Sequence, residues 1–137
     1  MDRETLIEAL GGFFRERSGG VVAAYLFGSR ARGTARKGSD VDLGVLFAES
    51  LPTSLHGPPS RIADALEREL GAEVQVVVLN TAPPDLVHRV LRDGVLVHES
   101  DRSARIRFEV ARRREYLDLL PVLRRYRRLE SLAEAAR

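Results

Sequence analysis

The chain has 137 residues, 22 Lys+Arg against 20 Asp+Glu, and no cysteine. This length suits one domain with its own core, and the absence of cysteine excludes thiolate catalysis, thiolate metal sites and disulfide bonds. No apolar stretch approaches the ~20 residues that cross a bilayer, and the opening MDRETLIEAL is acidic where a signal peptide is basic. We therefore expect a cytoplasmic protein of one domain over residues 1–137, with a core over 1–100 and a helical extension over 101–137.

The charge is unevenly distributed along the chain. Residues 102–137 contain eleven Arg and five acidic residues, which leaves a net charge of −4 on the rest. Such a basic run is typical of a solvated helix face or of a surface for an acidic partner. Few aromatic residues lie among these arginines, so stacking on single-stranded nucleic acid is disfavoured, and we do not expect a nucleic-acid partner.

The first half of the chain predicts a helix and two paired strands. Apolar residues between Leu6 and Phe14 recur every three or four positions, which is typical of an amphipathic helix, and Gly19-Gly20 would end it. Two short apolar runs, residues 21–27 and 40–47, follow on either side of a polar stretch and predict strands that pair. Residues 49–59 are rich in Ser, Pro and Gly and predict a loop.

The next segment predicts a helix and a third strand. The helix would be capped by Ser60 and closed by Gly71, and residues 73–79 would form the strand. The valines of that strand favour a central position in the sheet, covered on both faces. The apolar positions of the helix are Ile62, Leu66 and Leu70.

A fourth helix and a fourth strand complete the core. Pro83-Pro84 would begin the helix and Gly94 would end it, while residues 95–98 predict a short edge strand. The inward face of this helix is formed by Leu86, Val87, Val90 and Leu91. The sequence thus predicts a mixed α/β (α+β) fold in which a small sheet of about four strands is flanked by helices.

From Asp101 onward the spacing predicts a long helix that Pro121 should kink or split. It carries two apolar stripes, one of which can pack on the domain's own sheet. The other would be a homodimer or partner surface, because isolated proteins rarely expose a large apolar patch. The stripes are Ile106, Val110, Leu117 and Leu120, and Tyr116, Leu119, Leu123 and Tyr126.

Two aspartates at the start of the second strand point to metal chemistry. In a strand alternate residues share a face, so Asp40 and Asp42 should project together, opposite the apolar Val41 and Leu43. Two adjacent carboxylates repel each other unless a cation lies between them, and hard oxygen ligands suit Mg²⁺. Because Mg²⁺ in proteins is coordinated by substrate phosphate oxygens as well as by carboxylates, the pair predicts a nucleotide site.

The end of the first strand supplies a complementary feature. Gly28 lets the backbone approach a ligand closely, and Ser29 can begin a short helix whose amides face phosphate groups. Arg30 and Arg32 offer positive charge beside this corner. The candidate nucleotide-binding residues are Gly28, Ser29, Arg30, Arg32 and Ser39.

These residues resemble the signature of the nucleotidyltransferase superfamily of the DNA polymerase beta type. The pattern is Gly-Ser, ten residues and Asp-x-Asp, here Gly28-Ser29 followed by Asp40-Val41-Asp42. The stretches FGSRARG, SDVDLGV and VVVLNTAPPDLVHRVLRDGVLVHE and the small size resemble minimal nucleotidyltransferases, the antitoxin partners of HEPN-domain toxins. The resemblance implies a nucleotidyltransferase fold, ATP as substrate, one or two Mg²⁺ ions, and transfer of AMP to a tyrosine hydroxyl of the toxin.

The sequence departs from the family pattern at the third carboxylate. Gln75 stands at the corresponding position of the third strand, and an amide cannot act as a general base. Glu73 shares its strand parity but lies about 7 Å away along the strand. We therefore take Asp40, Asp42 and Gln75 as the catalytic positions, with Asp40 and Asp42 as the metal ligands, and expect slowed transfer.

Two alternatives to the adenylyltransferase remain open at this point. One is an impaired nucleotidyltransferase-like antitoxin that binds nucleotide and neutralises its partner by occlusion. The other is a small-molecule nucleotidyltransferase of the aminoglycoside type, for which the chain lacks a separate acceptor domain.

Overall fold

The computed structural model describes residues 1–17, 19–35, 38–49 and 57–136, and within them five helices and four strands. In chain order these are α1 (Arg3–Glu16), β1 (Val21–Phe27), α2 (Ser29–Arg32), β2 (Val41–Phe47), α3 (Pro58–Leu70), β3 (Val74–Val78), α4 (Pro84–Asp93), β4 (Val95–Glu99) and α5 (Arg102–Ala135). The strands form one sheet in the order β3-β2-β1-β4. The predicted mixed α/β architecture with a long C-terminal helix is confirmed.

The sheet is mixed, and its strand order corrects one prediction. β1 pairs with β2, as predicted, and this pairing is antiparallel, as is that of β1 with β4, whereas β2 pairs parallel with β3. β4 lies at an edge as predicted, but the expected central position of β3 is wrong, since β3 forms the opposite edge. Helix α3 covers this edge strand, and Val74, Val76 and Val78 pack in the core cluster that contains Leu66 of α3. The burial of these valines is thus due to packing against a helix, not to a second neighbouring strand.

Both faces of the sheet are covered by helices. α1 and α3 contribute to one core cluster, where Leu10 and Phe14 have no exposed surface, and Val87 and Val90 of α4 belong to a second cluster. Truncating a fully buried side chain such as Leu10 to Ala costs about 2–5 kcal/mol. Leu86 and Leu91 pack beside them, so the predicted inward face of α4 is confirmed.

The helix ends show where local signals act. Gly71 caps α3 with φ +68°, and Gly94 follows α4, both as predicted. The expected cap at Ser60 is wrong: α3 begins at Pro58, after Gly57, because proline lacks an N–H and has a φ suited to the first turn. α1 ends at Glu16, before Gly19-Gly20. Residues 50–56 of the predicted loop lie outside the described residues.

Helix α5 is one helix of 34 residues with Pro121 inside it, so the predicted split is wrong. A proline removes one backbone hydrogen bond, and the remaining bonds of a long helix can bridge that defect. α5 is attached to the sheet by Tyr25, whose hydroxyl donates to Glu109 at 2.7 Å, and by Arg105, which bridges Glu99 and Glu109. Burial and the Glu109 carboxylate raise the pKa of Tyr25, which keeps its hydroxyl protonated as the donor.

No helix in the described part of the chain is both long enough and apolar enough to cross a membrane.

Candidate active site

The backbone at the end of β1 comes directly against a carboxylate of β2. Gly28 has φ 75° and ψ −159° and precedes α2, and Phe27 pairs with Asp42 in the antiparallel register. A Cβ built on Gly28 would overlap Oδ2 of Asp42. The structure thus brings the Gly28-Ser29 corner and Asp42 together, and glycine is required there both for its conformation and for space.

Asp40 and Asp42 lie close enough to influence each other electrostatically. Val41 and Leu43 are buried, whereas the two aspartates are partly exposed, as the predicted alternation requires. Burial raises the pKa of Asp42 above its ordinary value, the charge of Asp40 raises it further, and Arg32 opposes this shift. A second negative charge beside a partly desolvated carboxylate is unfavourable, and a cation would relieve it.

Gln75 stands beside this carboxylate pair. It occupies the position in β3 opposite Asp42 in the parallel register, and its Nε2 donates to Oδ2 of Asp40 at 3.5 Å. The main chain of Glu73 accepts a hydrogen bond from Val41 N at 2.8 Å. Within the described ranges no group of three or more His, Cys, Asp or Glu side chains is placed to hold a metal ion, so Glu73 does not complete a three-carboxylate site there.

The two arginines of α2 have different surroundings. The Arg30 guanidinium donates twice to the Ser39 carbonyl, from Nε at 3.2 Å and from Nη2 at 2.7 Å. This arrangement ties the segment before β2 to α2 and so positions Asp40, rather than leaving Arg30 to face a ligand. Arg32 is exposed and lines a cleft beside Asp42. We therefore regard Arg32 as the candidate phosphate ligand and Arg30 as a positioning residue.

This cleft also receives residues of α4 that the sequence analysis did not select. It has a volume of about 230 Å³ and is lined by Phe27, Gly28, Arg32, Asp42, Leu86, Arg89 and Asp93. Arg89 adds a second guanidinium, while Asp93 is held by Arg92 through contacts of 2.9 Å. A larger cavity of about 480 Å³ lies at α1 and α3 and shares none of these residues. Leu86, Arg89 and Asp93 recur at three- and four-residue spacing, the one signal that groups them on a helix face.

The cleft combines features that suit a nucleotide and its counter-ion. Asp42 in the cleft lining and Asp40 beside it offer hard oxygen ligands, and the Arg32 and Arg89 guanidiniums provide donors that match phosphate oxygens. The absence of a side chain at Gly28 leaves the space that the Asp42 carboxylate occupies. Such an arrangement can bind a polyphosphate and stabilise charge that develops on it.

Comparison with known proteins identifies the family. A family profile described as polymerase beta, nucleotidyltransferase matches residues 9–103, which include the Gly-Ser corner, both aspartates and α4. This chain belongs to that family. A relative in Methanocaldococcus jannaschii, named as a protein adenylyltransferase, is 38% identical over 78 residues, which cover 56% of this chain and 78% of the relative.

Solved structures share the fold over the full length of the chain. One, described as a toxin-antitoxin with AMP-PNP, aligns over 100% of both chains with a TM-score of 0.70 and 23% identity. Another, a tri-AMPylated Shewanella oneidensis HEPN toxin in complex with an MNT antitoxin, aligns over 98% of this chain and 99% of that chain, with a TM-score of 0.67 and 20% identity. The expected nucleotidyltransferase fold is thereby confirmed.

Proposed function

We propose that this chain is an antitoxin that transfers AMP from ATP to a hydroxyl group, the tyrosine hydroxyl of a HEPN-type toxin, in the cytoplasm where ATP is supplied. The observation that carries this proposal is the contact between the Gly28 backbone and the Asp42 carboxylate, in a cleft that also holds Arg32 and Arg89. The related structures named above, one with AMP-PNP and one with an AMPylated toxin, support the choice of nucleotide and acceptor.

The residues present fit Mg²⁺ as the metal. Asp40 and Asp42 would hold one or two ions, because their mutual repulsion and the raised pKa of Asp42 favour a cation beside them. When bound, Mg²⁺ neutralises charge on the triphosphate and on the departing pyrophosphate. Two protein carboxylates leave most of the coordination shell to phosphate oxygens and water, which is the arrangement Mg²⁺ prefers.

The reaction we propose is an in-line displacement at the α-phosphorus of ATP. The acceptor oxygen forms a bond to this phosphorus, and the bond from the phosphorus to the bridging oxygen of the β-phosphate breaks. Arg32 and Arg89 hold the pyrophosphate as it leaves, and the acceptor proton passes to water or to a carboxylate of the pair. Positioning and charge neutralisation supply most of the rate in this kind of transfer.

The direct test measures incorporation of labelled AMP from ATP into the toxin. We expect the Asp40→Ala/Asp42→Ala variant to lose transfer by at least about a thousandfold, since charge stabilisation of this kind is worth that much. Asp64→Ala on α3 removes an exposed carboxylate outside the cleft and should label the toxin like the wild type. Equal labelling by the wild type and the double variant would refute the proposal.

A second function is favoured by one observation, the Gln75 amide beside Asp40. In this alternative the chain binds nucleotide but neutralises the toxin by occlusion, because an amide cannot take the acceptor proton. Gln75→Asp should then raise transfer from a near-zero level by about a hundredfold. If the wild type already transfers AMP rapidly and the toxin is inhibited only after labelling, the occlusion mechanism is refuted.

A further inference from the structure

Helix α5 carries most of the apolar surface that the described part of the chain leaves exposed. Of the ten large apolar side chains exposed there, eight lie on α5, and none of the described residues of this helix is buried. Soluble proteins rarely leave a large contiguous apolar patch uncovered, and such patches mark contact surfaces. We therefore expect α5 to carry a surface that contacts a second protein.

The attachment of α5 to its own domain ends near its middle. Tyr116 stacks on His88 of α4 with ring centroids 3.7 Å apart, and Arg112 donates to the Asn80 carbonyl at 2.8 Å. Among the described residues, no hydrogen bond, ion pair or ring contact links α5 beyond Tyr116 to another element. The C-terminal half of the helix is thus free to bind another molecule without competing with the fold.

Four side chains form a single face on that half. Leu119, Val122, Tyr126 and Leu129 are 37%, 60%, 63% and 58% exposed. Their spacing of three, four and three residues places them in line along the helix, as in the seam of a coiled coil. We call these four residues the outer seam. Its shape suits an apolar stripe on a partner helix.

The charge around the outer seam selects the kind of partner. Arg125 and Arg127 form an exposed cluster that flanks Tyr126, at the centre of the seam, about 100° around the helix on either side, and no acidic side chain of the described residues pairs with them. If a second copy of this chain packed along the seam, centred on Tyr126, it would bring two such arginine clusters together. Like charges in an interface cost several kcal/mol and select against that partner, so a different protein with carboxylates beside its apolar stripe fits better.

We propose that the outer seam and its two flanking arginines, Arg125 and Arg127, are the docking surface for the toxin, which meets them with an apolar helical stripe bordered by acidic residues. This inference rests on the proposed function for the identity of the partner. It assigns to residues 119–129 the task of holding the toxin while the cleft on the core carries out the chemistry.

The test measures the affinity of the full-length chain for purified HEPN toxin by calorimetry at low and high salt. Val122→Gln/Leu129→Gln replaces two seam residues while keeping good helix formers, and should weaken binding about a hundredfold, since buried apolar anchors dominate interface energy. Ile106→Gln/Val110→Gln is the matched control: both side chains are 42% exposed on the same helix, outside the seam. This control should bind the toxin within about threefold of the wild type, because contacts outside an interface contribute little.

Charge reversal tests the arginines separately. Arg125→Glu/Arg127→Glu should slow association and reduce its salt dependence, because charges at an interface rim act chiefly on the association rate. All variants should bind AMP-PNP with Mg²⁺ like the wild type, which shows that the core is intact.

Each other outcome counts against the proposal. If the toxin binds the seam variant and the wild type equally, the docking surface is refuted while the proposed function stands. A wild type that light scattering shows to be a dimer, and that becomes monomeric in the seam variant, would assign the seam to a second copy. If the arginine variant loses binding while the seam variant keeps it, the surface would be assigned to a polyanion such as RNA. If neither the wild type nor the control binds the toxin, the proposed function fails together with this inference.

Discussion

Gly28→Ala tests the contact on which the active-site proposal depends. The substitution forces a side chain into a backbone conformation that is essentially restricted to glycine, φ 75° and ψ −159°, at a cost of about 1–3 kcal/mol. The added Cβ also overlaps Oδ2 of Asp42, and overpacking adds about 1–3 kcal/mol. We therefore expect a loss of about 2–6 kcal/mol in the free energy of unfolding and, because the carboxylate is displaced, weaker binding of AMP-PNP with Mg²⁺.

Gly71→Ala is the matched control. Gly71 also has positive φ, 68°, but a Cβ there meets nothing within 4 Å and the residue lies at the end of α3. The left-handed conformation alone costs about 1 kcal/mol for a non-glycine residue. Urea denaturation should show this smaller loss, and calorimetry should show unchanged nucleotide binding.

A double-mutant cycle isolates the steric overlap between the Cβ added at Gly28 and Oδ2 of Asp42. In the Asp42→Ala background the overlapping oxygen is absent, so Gly28→Ala should cost about 1–3 kcal/mol less than it does in the wild type. The backbone cost remains in both backgrounds. Should Gly28→Ala have the same effect in both, or bind nucleotide like the wild type, the argument that Gly28 is required for close approach to Asp42 would be wrong.

Three further outcomes are expected. Asp42→Asn should stabilise the nucleotide-free protein at pH 7 by up to about 1 kcal/mol, a small gain because water screens the partly exposed group. Since the pKa of Asp42 is raised in the folded state, its charged form lowers the free energy of unfolding, and the gain should vanish as the pH falls below the ordinary Asp pKa. Urea denaturation at pH 7 and pH 3 measures this difference. Arg89→Gln should weaken calorimetric AMP-PNP binding about tenfold through loss of a charge-assisted hydrogen bond, whereas Arg61→Gln, exposed on α3 and outside the cleft lining, should change it less than threefold. Gln75→Glu should lower the Mg²⁺ concentration needed for half-maximal nucleotide binding, since it adds a carboxylate near Asp40; an unchanged requirement would show that β3 does not contact the metal.

Much of the fold and the centre of the site could be predicted from local patterns. The alternation of Asp40 and Asp42 with buried Val41 and Leu43 follows from the two-residue period of a strand, and the structure shows it. Glycines at strand and helix ends mark the turn at Gly28 because few other residues adopt its conformation. The position of β3 was missed, since a run of valines reports burial without saying whether a strand or a helix provides it.

The sequence by itself determined the elements and the Gly-Ser corner followed by two aspartates, because backbone geometry sets the period and the turn residues locally. The tertiary structure alone decided which helix face meets this corner. It places Arg89 of α4 in the cleft, commits Arg30 to the Ser39 carbonyl and leaves the outer seam of α5 uncovered. These features depend on packing between residues far apart in the chain, and a local pattern of three or four residues does not predict such packing.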